Sequence, residues 1–126
     1  DMSDKPIITT GRLEAFSDGV IAIIITIMVF DLKLNEVASI EVLNAELVKL
    51  IPKFIAYIIS FTMVAIMWVN HHQLMHQIKS TDQKLLWHNI HLLFWMSLLP
   101  FCSNFLGANP WQAFATMIYS VVLFMV

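Results

Sequence analysis

Residues 85–106 read LLWHNIHLLFWMSLLPFCSNFL, with no Asp, Glu, Lys or Arg anywhere along the stretch. The hydrocarbon core of a bilayer is crossed by an α-helix of about 20 mostly apolar residues. This stretch has that length and composition, so it predicts a membrane-spanning helix.

The composition of the whole chain agrees with a membrane protein. Of its 126 residues, 59% are hydrophobic and 13% are charged, and the mean hydropathy is +0.76. Soluble domains carry about 25% charged residues. The formal net charge of −2 indicates no basic surface, so we expect no nucleic-acid partner. The single cysteine, Cys102, cannot form a disulfide within the chain, and we expect a buried thiol.

Three other hydrophobic stretches complete the predicted fold, an all-α polytopic membrane bundle. We place its helices at about 12–32, 50–72, 85–106 and 110–126, in a single transmembrane domain over 1–126. The last stretch is still hydrophobic where the chain stops, so we expect a longer subunit truncated at its C-terminus. The basic residues that set orientation give a small bias towards a cytoplasmic N-terminus. They are Lys5, Arg12, Lys79 and Lys84 against Lys33, Lys49 and Lys53.

The connections between the predicted spans are polar. In the first connection, Ile40, Leu43 and Leu47 recur at helical spacing and predict a short, separate amphipathic helix. Pro52 favours the start of the second span, because proline suits the first turn of a helix. The second connection, 70–84, carries three histidines and predicts a hydrophilic turn.

The first span brings charges to membrane depth. Gly19–Phe30 is uncharged but too short to cross a bilayer, so the helix must also include Arg12, Glu14 and Asp18. Charged groups at this depth are costly and face protein or water rather than lipid. We therefore expect them to be tightly paired or functional.

At about 100° per residue, the first span has two distinct faces. The apolar stripe contains Gly19, Ile23, Thr26 and Phe30, with Ile27 at its edge. The polar face contains Glu14, Ser17 and Asp18. This polar face should point at neighbouring helices, where the candidate partners are Arg12, Trp68, His71, His72, His76, His88 and Asn89.

The polar face also carries a motif. The run Arg12-Leu13-Glu14-Ala15-Phe16-Ser17-Asp18-Gly19 resembles the RxxxFSD signature of the transmembrane protein 175 family of potassium channels. WVNHH at 68–72, Asn89 and SLLPF at 97–101 resemble the same family, and the chain would supply about its first three and a half transmembrane helices. The resemblance implies a structural network of Arg12, Phe16, Ser17, Asp18, Trp68, His72 and Asn89.

For function, the resemblance implies a potassium-preferring cation channel that conducts passively in a bacterial plasma membrane. Its partners would be the lipid bilayer, potassium ions and further copies of the chain, in a homotetramer with the first helices around a central pore. No TVGYG filter is present, and the resemblance implies instead a pore lined by stacked hydrophobic rings. Ile23 should form the narrowest ring, followed by Thr26 and then by Phe30 or Ile27. Without the motif, ordinary helix packing would be the better explanation of the same stripe.

Two other functional classes fit parts of the sequence. HHxxxH at 71–76 and HNxH at 88–91 could ligate iron, zinc or haem in a membrane enzyme. Five histidines are few for a histidine-box enzyme, and in sequence the acidic residue closest to them is Asp82. A proton-coupled carrier could use Asp18 and a histidine as a relay, but its usual glycine-rich broken helices are missing. We therefore expect no catalytic residues, no metal and no cofactor other than permeant potassium.

Overall fold

The computed structural model describes residues 8–34, 36 and 38–126, so Lys5 lies outside the described residues. All regular secondary structure in the described residues is helical, which confirms the predicted all-α class. The helices are α1 (Thr10–Ile27), α2 (Ile40–Gln77), α3 (Gln83–Ser97), α4 (Leu99–Ala108) and α5 (Ala113–Met125).

Three segments are long and apolar enough to cross a membrane: Thr10–Asp31, Ile40–Gln77 and Gln83–Ala108. The helix α5 is apolar but shorter. The chain is therefore a multi-pass membrane protein.

The helix α1 begins and ends close to the predicted bounds. The Thr9 side chain caps its first turn by accepting a hydrogen bond from the Arg12 backbone N–H at 3.2 Å. The α-helix ends at Ile27, and a tighter 3-10 turn, Met28–Asp31, continues the span. Such 3-10 turns are common at helix ends.

The helix α2 is longer than predicted at both ends. The predicted amphipathic helix is not separate, because the chain is helical without a break from Ile40 to Gln77. Ser39 caps this helix by accepting from the Val42 N–H at 3.3 Å, so the start lies well before Pro52, which sits inside the helix. At the other end, the predicted turn at 70–84 is wrong as far as Gln77, and the three histidines lie on the last helical turns.

The third predicted span is divided in two at Leu98. Proline has no N–H to donate, and its ring clashes with the carbonyl four residues earlier. Pro100 has this effect, and it lies in the first turn of α4, where proline is tolerated. Asp82 caps α3 by accepting from the Leu85 N–H at 2.6 Å.

The buried core joins all five helices. From α1 it takes Ile21 and Ile24, from the 3-10 turn Met28, and from the other helices Val64, Leu93, Met96, Leu99, Cys102, Tyr119 and Val122. Cys102 is buried and free, as expected. One hydrogen bond crosses this core, between the hydroxyls of Ser60 and Tyr119 at 2.8 Å. The core fixes α1 by one face only.

Candidate functional site

The two faces of α1 have opposite environments. Its buried residues are Leu13, Ser17, Ile21 and Ile24, with Met28 continuing the series in the 3-10 turn. The opposite face is exposed in the single chain, with Ile23 at 62% and Phe30 at 65%. Every residue predicted to line a pore (Ile23, Thr26, Ile27 and Phe30) lies on this exposed face. We call these four residues the outward stripe.

Thr26 is the polar member of the outward stripe. Its hydroxyl donates a hydrogen bond to the Ala22 carbonyl at 2.7 Å, with the Ile23 carbonyl at 3.1 Å. A hydroxyl has one proton and two acceptor lone pairs. Because the proton is directed back to the helix backbone, the oxygen keeps acceptor capacity for a group outside the chain.

On the buried face, one hydrogen-bonded chain links three helices. Ser17 donates its hydroxyl proton to the Leu13 carbonyl at 2.8 Å, so its oxygen can accept the amide N–H of Asn89, also at 2.8 Å. The amide oxygen of Asn89 then faces His71 Nε2 at 2.7 Å, and this nitrogen must carry a proton. All three side chains are buried, which ties α1, α2 and α3 together.

This series of hydrogen bonds ends at His71, where one ring nitrogen has no partner among the described residues. His71 Nδ1 is buried and has no hydrogen-bond partner among the described residues. Buried polar atoms without partners are uncommon in folded proteins. Among the described residues, this nitrogen is the one buried side-chain nitrogen or oxygen without a hydrogen bond.

A second set of contacts joins α1 to the end of α2. The Trp68 indole N–H donates to the Asp18 carboxylate at 2.9 Å, and the Trp68 ring stacks on the His72 ring at a centroid distance of 5.7 Å. His72 Nδ1 lies 2.8 Å from Glu14 Oε1. The acidic groups of the first span thus face α2, as charges at membrane depth must.

Two members of the predicted network lie elsewhere. Arg12 is exposed, and its guanidinium makes no ion pair or hydrogen bond with the described residues. It lies six positions before Asp18, which is about 9 Å along the helix and about 120° around it, so it cannot reach that carboxylate easily. Phe16 is exposed as well, at 55%.

Sequence reasoning named the histidines as candidate partners of the polar face of α1 but assigned no pairs. It also treated the histidines as part of a turn and Asp82 as the acidic residue closest to them in sequence, whereas folding brings Glu14 to His72. It also gave His71 no specific partner, and His71 completes the buried chain. The helical spacing of Val64, His71 and Met75, all buried, was the signal that α2 continues through the histidines.

Comparisons with known proteins agree on one family. The family model described as endosomal/lysosomal potassium channel TMEM175 matches residues 12–100. A potassium channel of Chryseobacterium sp. (strain P1-3) is 47% identical over 93% of this chain and 59% of its own length. The endosomal/lysosomal proton channel TMEM175 of Mus musculus is 34% identical over 71% of this chain and 19% of its own length.

A solved structure has the same fold. The crystal structure of a lysosomal potassium-selective channel TMEM175 homolog from Chamaesiphon minutus gives a TM-score of 0.82 at 33% identity, and covers 90% of this chain and 63% of that chain. The chain thus spans about three fifths of the length of these bacterial relatives. These proteins are named as channels and not as enzymes. The RxxxFSD motif, the helical fold and the family match over residues 12–100 together show that the chain belongs to the TMEM175 family.

Proposed function

We propose that this chain belongs to a subunit of a potassium-preferring cation channel in a bacterial plasma membrane, with α1 of each subunit lining a central pore. The observation that carries the proposal is the asymmetry of α1. Glu14, Ser17 and Asp18 are turned inward to α2 and α3, whereas an apolar stripe interrupted by Thr26 is left exposed. One α1 helix encloses no pore, so several copies are needed. The resemblance to the TMEM175 family implies a homotetramer, with four outward stripes facing its axis.

The outward stripe would limit conduction because an ion must lose part of its hydration water to pass it. Four Ile23 side chains offer no polar atom to replace the water around an ion, so the barrier depends on ring width and wetting. One turn away, the Thr26 oxygens have free acceptor capacity towards the axis. Their placement beside the narrow ring would offset part of the dehydration cost of a potassium ion.

The names of the relatives support potassium over other ions. The bacterial relatives in Chryseobacterium and Chamaesiphon minutus are named potassium channels, at 47% and 34% identity. The vertebrate relatives are named proton channels and match at 25% to 35% identity. Proton flux is therefore the second candidate activity.

Flux into liposomes tests the proposal. Purified protein in vesicles with a potassium gradient should carry a passive current that reverses when the gradient reverses, and that is smaller when sodium replaces potassium. A pH-sensitive dye inside the vesicles measures proton flux in the same preparation. Proton flux without potassium flux would favour the second candidate, and transport that needs a coupled proton gradient would contradict a channel.

A further inference from the structure

The geometry points to a transition-metal site at the end of α2, in which His72 and His76 bind a zinc-like divalent cation and Glu14 holds His72 in place. The site goes beyond the sequence analysis, which assigned no metal. Among the described residues, Glu14, His72 and His76 form a group whose potential ligand atoms all lie within 4.8 Å of one another.

The two imidazoles are spaced like ligands of one ion. His72 Nε2 and His76 Nε2 are 3.1 Å apart, on residues one helical turn apart. Zinc binds histidine nitrogen at about 2.0–2.1 Å, so two nitrogens of a tetrahedral site stand about 3.3 Å apart. The separation of the two nitrogens would therefore have to grow by only a few tenths of an ångström, and the rings, which lie at 86° to each other, would turn so that both lone pairs face the ion.

Glu14 sets the tautomer of His72. Its carboxylate lies 2.8 Å from His72 Nδ1, so in the neutral imidazole Nδ1 carries the proton that it donates to Glu14, and Nε2 holds the lone pair. Carboxylates commonly orient metal-binding histidines in this way and raise their basicity. The Nε2 lone pair of His72 is thus directed towards His76, and the negative charge of Glu14, 4.0 Å from His76 Nε2, offsets part of the charge of the cation.

Without an ion, the short contact between the histidines needs a proton. With both imidazoles neutral and the His72 proton on Nδ1, His76 Nε2 donates to His72 Nε2. Ion binding breaks this hydrogen bond. The His76 proton can then lie on Nδ1 instead of Nε2, so that the imidazole stays neutral and no proton is released. The side chains of His72 and His76 are 43% and 64% exposed, so water can reach the ion and complete its coordination.

The ion would strengthen the contact between α1 and α2. The Glu14–His72 contact and the Trp68–Asp18 hydrogen bond both cross between these helices, and Trp68 stacks on His72. Fixing the His72 ring would therefore also hold Trp68 against Asp18. The effect is on stability, so it can be measured whether or not the protein conducts potassium.

Calorimetric titration of zinc chloride into purified protein, with any affinity tag removed, tests the site. We expect saturable binding of one ion per chain and a higher thermal unfolding midpoint with zinc. His76→Ala should abolish both effects, and it should fold because His76 is exposed and bonds only to His72 among the described side chains. Glu14→Gln should weaken binding by about tenfold, because it removes the charge but keeps an acceptor.

The matched control is His88→Ala, since His88 is an exposed histidine on α3 whose Nδ1 bonds only to the Lys84 carbonyl. This variant should bind zinc as the wild type does. Equal binding by wild type and His76→Ala, equal loss in His88→Ala, or no saturable binding by the wild type would each overturn the proposal.

Discussion

At the level of single residues, the few available protons decide which group donates and which accepts in the buried network of Ser17, Asn89 and His71. Ser17 gives its only proton to the Leu13 carbonyl, so it must accept from Asn89, and the Asn89 amide oxygen is left for His71. Ser17 and Asn89 thus each donate one hydrogen bond and accept another. Removing a partner from a buried polar group costs about 1–3 kcal/mol.

Asn89→Ala should therefore lower the thermal unfolding midpoint strongly. The change leaves Ser17 without its donor and His71 without its acceptor, in a place where both are buried. We expect a loss of about 2–4 kcal/mol, measured by thermal or denaturant unfolding in detergent. Asn104→Ala, at an exposed position of α4, is the control. Equal midpoints for the two variants would show that the buried chain does not stabilise the fold.

Trp68→Phe separates the hydrogen bond from the stacking. Phenylalanine keeps an aromatic ring beside His72 but cannot donate to Asp18, which now receives the indole N–H. A hydrogen bond to a charged group contributes about 1.5–3 kcal/mol, so the variant should be destabilised by about that amount. Trp87→Phe, at a residue 60% exposed, should change stability little. A stable Trp68→Phe variant with normal unfolding would assign Asp18 no structural role here.

At the scale of helices, one close approach fixes how α4 lies on α2. A Cβ atom placed on Gly107 would come within 2.8 Å of the Lys53 Cα, which is backbone and cannot turn aside. A Cβ placed on Gly11 would meet nothing within 4 Å. The two glycines therefore predict opposite effects of the same substitution.

Gly107→Ala should destabilise the protein although alanine favours helices. Alanine gains about 1 kcal/mol over glycine in a helix interior, but forcing the two helices apart costs about 1–3 kcal/mol. Gly11→Ala should be neutral or stabilising. Unfolding midpoints of the two variants give the comparison, and a midpoint for Gly107→Ala at or above that of Gly11→Ala would refute the close packing.

The helices also show where sequence patterns suffice and where they do not. Hydrophobic length identified the three segments of membrane length, whereas the fourth predicted span, 110–126, contains the shorter helix α5. The helical period separated the faces of α1. The pattern failed at Pro52 and after Asn70, because proline and polar residues were taken as ends, whereas Ser39 caps one long helix that buries His71 and Met75. The two faces of α1 predicted that Glu14 would meet a neighbouring helix and offered His72 among several partners, but the sequence did not single out this pair, whose residues are 58 positions apart.

At the level of the whole molecule, the proposed pore requires several copies of the chain. A strip of exposed apolar side chains on α1, opposite its buried face, would face lipid or another subunit in a membrane. The proposed pore needs four such strips about one axis. Closed cyclic assemblies of this kind bury the same surface in every subunit.

Cross-linking measures the number of copies. Treating the purified protein in detergent or in liposomes with an amine-reactive cross-linker should give bands up to the tetramer and no larger, independent of protein concentration. A monomer that still conducts, or a ladder that continues past four, would contradict the proposed assembly.

We propose that the outward stripe of α1 is the pore surface, with Ile23 as its narrowest ring. Substitution at Ile24, which is 3% exposed, would damage the core and is a poor control. Ile66 on α2 is a better one, because it is also isoleucine and is 51% exposed. The two positions can therefore be compared with the same alanine substitution.

Reversal potentials with potassium on one side and sodium on the other test this claim most directly. The wild type should reverse at a potential that shows preference for potassium. Ile23→Ala should widen the ring, raise the conductance and move the reversal potential towards zero, while Ile66→Ala leaves both unchanged. If Ile23→Ala keeps the wild-type conductance and reversal potential, and substitution at Ile27 or Phe30 changes them, the constriction lies elsewhere on α1. If none of the four residues of the outward stripe affects conduction, α1 does not line the pore.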